Sequence, residues 1–116
     1  MLELTENQLQ QMRQHEHAGF VSRLRAEIVR DFPELSNDAD LEHRLGIAHD
    51  RAIALGLDSG TSRTQFLYHE AFTPGFSRQP AVTAWIKRPG ASAEQRWRDF
   101  MALASAKLGA DNPAQE

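Results

Sequence analysis

The sequence predicts an all-α fold: a compact bundle of about four helices, with a proline-rich connection that carries a short extra helix. Three observations lead there. β-Branched apolar residues are scarce, with three valines and four isoleucines, and no sustained alternation of apolar and polar positions occurs. Capping residues, glycines and prolines cut the chain into segments of helical length. Within those segments apolar residues recur at the three- and four-residue spacings that share one helix face.

The first helix is expected to start after Thr5, whose hydroxyl can cap while Gln8 reaches back. It should end near Asp31, because Pro33 disfavours helical geometry at Phe32. Its stripe is Leu9, Met12, Phe20, Val21, Leu24 and Ile28, and Gly19 suggests a bend or a close helix crossing. Ser36-Asn37-Asp38 is expected to cap the second helix, with Asp38, Asp40 and Glu42 complementing its dipole. Leu41, Leu45, Ala48, Ala52 and Leu55 form its buried stripe. Gly56 then reads as the terminating glycine, with Leu57 folding back on the last turn.

A third helix should begin near Thr61 or Ser62, with Gln65 completing a capping box, and end at Pro74-Gly75. Phe66, Leu67, Tyr68 and Phe72 do not share one narrow face, which suits a helix central in the bundle or shared with a partner. Residues 74–92 read as a long connection in which Pro80 opens a short helix through Lys87, setting Val82, Trp85 and Ile86 against the bundle. The last helix is capped by Ser92, carries Trp97, Phe100, Met101, Ala104 and Leu108, and should stop at Gly109. Residues 1–116 thus form a single helical domain, ordered over about 5–109, with a frayed tail at 110–116.

Composition bounds the function. Only 25 of the 116 residues are Leu, Ile, Val or Phe, so the core is lean. A formal charge of −3 offers no concentrated basic surface for nucleic acid or an anionic membrane. The clusters Arg23/Arg25/Arg30 and Lys87/Arg88/Arg96/Arg98 are interleaved with Glu27, Asp31, Glu94 and Asp99, as in solvated helix faces. Absence of cysteine rules out disulfides, thiol catalysis and zinc–thiolate centres. The opening Met-Leu-Glu-Leu-Thr-Glu lacks a signal-peptide pattern, and no apolar run approaches the roughly 20 residues of a bilayer span. A cytoplasmic location is therefore expected.

The chemistry-bearing residues form no recognised local motif. His15 and His17 diverge on a helix, as do His43 and His49, and H-E-x-x-H is absent. His17 reads as a packed, hydrogen-bonded residue at the core edge. Asp38, Asp40 and Glu42 lack the glycine and closing glutamate of a calcium loop. His43 and Asp50, with Ile47 between them, read as a surface patch opposite the Leu41/Leu45 stripe. Neither a phosphate-binding loop nor a G-x-S-x-G elbow occurs. No catalytic residue, cofactor or bound metal is expected. The informative residues are aromatic: Phe66, Tyr68, Phe72, Phe76 and Trp85 crowd the second half of the chain. They either complete the thin core or serve as anchors for a protein partner.

Phe20-Val21-x-Arg23-Leu24, Phe32-Pro33-x-Leu35 and Gly46-Ile47-x4-Ala52-x3-Gly56-Leu57 are followed by Phe66-Leu67, Phe72, Gly75-Phe76 and Trp85. This order resembles small helical accessory proteins encoded beside the VgrG and PAAR spike genes of bacterial type VI secretion systems. The resemblance covers about residues 5–104, and Leu55-Gly56 replaces the usual tyrosine-glycine pair at the second helix end. It implies a non-catalytic adaptor, co-effector or chaperone aiding effector delivery. The implied partner is an effector, co-chaperone or spike-associated component, and a homo- or hetero-oligomer is compatible with the pattern. An immunity protein that neutralises a toxin is the alternative, with a small metal-dependent hydrolase behind it.

Overall fold

The computed structural model describes residues 5–110, with side chains at all of these positions except 10, 12–15 and 105–110. Five α-helices follow in order: α1 (Glu6–Asp31), α2 (Leu41–Ala54), α3 (Gly60–Phe72), α4 (Pro80–Ile86) and α5 (Ala93–Ala110). Single 3-10 turns over Pro33–Asn37 and Phe76–Arg78 lie between α1 and α2 and between α3 and α4, and the described residues contain no strand. The all-α fold is as the sequence predicts. No helix among the described residues is long and apolar enough to cross a membrane.

Local signals set the helix ends. Thr5 and Gln8 form the reciprocal capping box, the Gln8 N–H donating to the Thr5 hydroxyl at 3.1 Å and the Thr5 N–H to Gln8 Oε1 at 2.9 Å. At the end of α2, Gly56 adopts φ +96°. Its N–H donates to the Ile53 carbonyl at 3.0 Å, and the Leu57 N–H reaches back to Ala52 at 2.9 Å. These paired bonds satisfy carbonyls that the helix leaves open and return Leu57 to the core.

Other boundaries differ from expectation. α2 starts at Leu41 rather than just after Ser36-Asn37-Asp38, because that tripeptide closes the 3-10 turn. The Asp38 carboxylate then accepts the Asp40 N–H at 2.9 Å. Ser59, not Thr61 or Ser62, caps α3, accepting the Ser62 N–H at 3.0 Å. Gln65 instead accepts the Trp97 indole N–H at 2.8 Å. α5 runs one residue past the expected stop at Gly109. A Cβ at Gly19 would meet nothing within 4 Å, so no helix crosses closely there. The side chains of Met12, His15 and Leu108 and all of residues 111–116 lie outside the described residues.

α2 packs between α1 and α3, while α5 packs on α3 and α4. Leu24, Ile28, Leu41, Leu45, Leu55 and Trp97 are buried as the helical stripes predict; Phe20 and Met101 are half-buried against the same core. Leu9 is exposed, as are the other described side chains of residues 5–16, so the packed part of α1 begins near His17.

Candidate functional site

Three arrangements on this scaffold carry polar or exposed apolar chemistry. The first divides the aromatic set. Phe66 is fully buried and Phe76 nearly so, meeting each other at 5.5 Å between ring centroids and both packing on Trp97. His69 stacks on Phe76 at 4.7 Å, and burial holds its imidazole below the ordinary pKa. Phe66 and Phe76 are therefore core residues and not surface anchors. Trp85 is half-buried, donates its indole N–H to the Arg96 carbonyl at 2.8 Å, and lies 5.2 Å from the Arg88 guanidinium. The bond to Arg96 ties α4 to α5.

Phe72 is different: it is 47% exposed at the end of α3. Its ring meets Phe32 edge-on at 4.8 Å and stacks with Tyr68 at 6.4 Å. Phe32, itself 37% exposed, is the C-cap of α1. Sequence reasoning assigned it only a helix-ending role. The pre-proline position takes Phe32 out of the helix, so the stripe of α1 does not bury its ring. Tyr68 is half-buried, and burial, with the nearby Asp31 and Glu27 carboxylates, raises its phenol above the ordinary pKa. Phe32, Tyr68 and Phe72 thus form a continuous aromatic surface, bordered by Glu27 and by Asp31, which pairs with Arg30 at 3.2 Å.

Comparison with protein-family models, curated proteins and solved structures finds no match to this chain.

The second arrangement is a buried ionic network. Glu70, 2% exposed, accepts from the Gly75 N–H at 2.8 Å, the Ser77 N–H at 3.0 Å and the Ser77 hydroxyl at 2.7 Å. Arg44 of α2 donates to the same carboxylate at 2.9 Å and also pairs with Asp38. Burial alone would raise the Glu70 pKa; hydrogen bonds from Ser77, Gly75 and Arg44 outweigh it and hold the carboxyl below its ordinary range. Every oxygen is occupied, so the network locks α2, α3 and the following turn together rather than presenting a reactive group.

The third arrangement lies between α1 and α2, around a cavity of about 710 Å³ lined in part by His17, Val21, Gly46, Ile47, His49 and Asp50. His49 is 2% exposed, and neither of its ring nitrogens has a hydrogen-bond partner. It stacks on Phe20 at 4.8 Å and meets His17 edge-on at 5.0 Å. Burial first, then the neighbouring His17 and Arg63, push its imidazole down to about 4, against the opposing pull of Asp50. One donor atom each from His17, His49 and Asp50 lies within 4.8 Å of the others. The fold therefore joins one histidine from each of the two sequence-local pairs, a combination that spacing along the chain did not reveal. His43 and Asp50 are exposed at the same cavity.

Proposed function

We propose that this chain is a non-catalytic protein–protein interaction module, acting in the cytoplasm as an adaptor, co-effector or chaperone in the delivery of a type VI secretion effector. The observation that supports interaction is the aromatic surface of Phe32, Tyr68 and Phe72. Phe72 is 47% exposed although the lean core has few large apolar side chains to spare. Exposed aromatics in mutual contact offer large, rigid apolar area at low entropic cost, the property that concentrates binding energy at interfaces. Placement in type VI secretion rests on the resemblance carried by the Phe20-to-Trp85 pattern.

The test is co-purification of the tagged full chain from its native bacterium, with stoichiometric companions identified. A spike component or effector among them, captured by the parent and lost in Phe72→Ala and Phe32→Ala variants of unchanged melting, supports the reading. An anchor contributing about 2 kcal/mol corresponds to a roughly 30-fold loss of affinity. Undiminished capture by both variants removes this surface as the binding site. Companions unrelated to secretion, with capture still dependent on Phe72, retain the module and remove the pathway.

A further inference from the structure

We infer that His17, His49 and Asp50 form a binding site for a divalent transition metal of the zinc type, bridging α1 and α2. This inference is independent of the adaptor reading and uses a different part of the surface. Three donors, one from α1 and two from α2, already lie within 4.8 Å of one another. Donors held at about 2.0–2.1 Å in a tetrahedral zinc site are roughly 3.3 Å apart, so a modest closure brings them into range. Asp50 is exposed and His17 half-buried, while His49 stacks on Phe20.

His49 is the observation that points to a ligand. A buried imidazole has one lone pair and one N–H to satisfy, and here both nitrogens lack partners. A metal ion uses that lone pair and compensates for its lost hydration. Two imidazoles and a carboxylate suit zinc and its transition-metal neighbours, whereas magnesium and calcium prefer sets of oxygen donors.

Three protein ligands leave a coordination position open, and the cavity of about 710 Å³ provides room there for water or a donor from a bound molecule. Gly46 on its wall carries no side chain to fill that space, and a Cβ built on it meets nothing within 4 Å. The second His49 nitrogen has no hydrogen-bond acceptor to orient the ring, so affinity should fall short of a fully buttressed zinc centre. The ion would clamp α1 to α2 at His17, where the packed part of α1 begins.

The test titrates zinc chloride into the metal-stripped, tag-free full chain by calorimetry, with magnesium and calcium chlorides as comparators. One saturable zinc ion per chain is expected, with about tenfold or greater weakening in His17→Ala and in Asp50→Asn. Imidazole nitrogen resonances of the unaltered protein provide a second readout that does not depend on a variant folding. Zinc should shift those of His17 and His49 and spare His69, which faces Met101. Absence of saturable zinc binding, equal binding of magnesium, unchanged affinity in both variants, or resonance shifts confined to other histidines would each overturn the assignment.

Discussion

Arg44 and Glu70 form an ion pair at 2.9 Å that joins α2 to α3, with the carboxylate almost wholly sealed from water. Glu70 gathers the N–H groups of Gly75 and Ser77 as well, so one side chain organises the turn after α3 while fastening α3 to its neighbour. Arg44→Ala removes one partner and leaves the other charge buried. The expected loss is about 3–5 kcal/mol, measured as a lower denaturant midpoint. A loss below about 1 kcal/mol would mean that Glu70 is satisfied without Arg44.

The same carboxylate makes stability acid-sensitive. Its folded pKa is depressed below the ordinary 4.5, so its contribution is complete above that value and lost as pH falls through the folded pKa. Glu70→Gln should be less stable than the parent at neutral pH. The difference should narrow as the parent's Glu70 becomes protonated. Parallel stability curves for the two proteins down to about pH 2 would contradict this assignment.

Two phenylalanines six residues apart on α3 should lose stability to very different extents. Phe66→Ala empties a fully buried position and should cost about 3–5 kcal/mol. Phe72→Ala removes a half-exposed ring with one close edge contact and should cost about 1 kcal/mol or less. Chemical denaturation of both variants measures the contrast, and equal losses would place Phe72 in the core.

Leu45 is fully buried at the centre of the α2 stripe. Leu45→Ala should cost about 2–5 kcal/mol, with the value set by how far α1 and α3 relax into the space. An unchanged midpoint would refute its place in the core.

Two glycines separate backbone demand from mere occupancy. Gly56 sits at φ +96°, and a Cβ there would lie 3.1 Å from the Ala93 Cβ. Gly56→Ala should therefore destabilise by about 1–2 kcal/mol. Gly19 is within α1, where a Cβ meets nothing within 4 Å, and Gly19→Ala should stabilise by about 0.5–1 kcal/mol. Thermal melts of both variants, made separately, check the two signs.

Local signals suffice for the helical class, the Thr5 start of α1, its stop at Asp31, the α2 stripe and the Gly56 terminus. These signals act between residues a turn apart, where backbone geometry and cap chemistry suffice. Tertiary structure decided what the polar and aromatic side chains do. Arg44 and Glu70 are 26 positions apart, and Glu94, 35 positions from Ser59, accepts its N–H and so captures the α3 start. Glu70 lies in the last turn of α3 beside the buried Phe66, Leu67 and Ala71, and nothing within a turn of it identifies Arg44 as its partner. Likewise His17 and His49 meet only because α1 and α2 pack together, while Phe32 and Phe72 meet because two helix ends converge. Local periodicity gives the direction a side chain takes from its own helix; the partner it finds depends on how separate helices bury their apolar faces against one another.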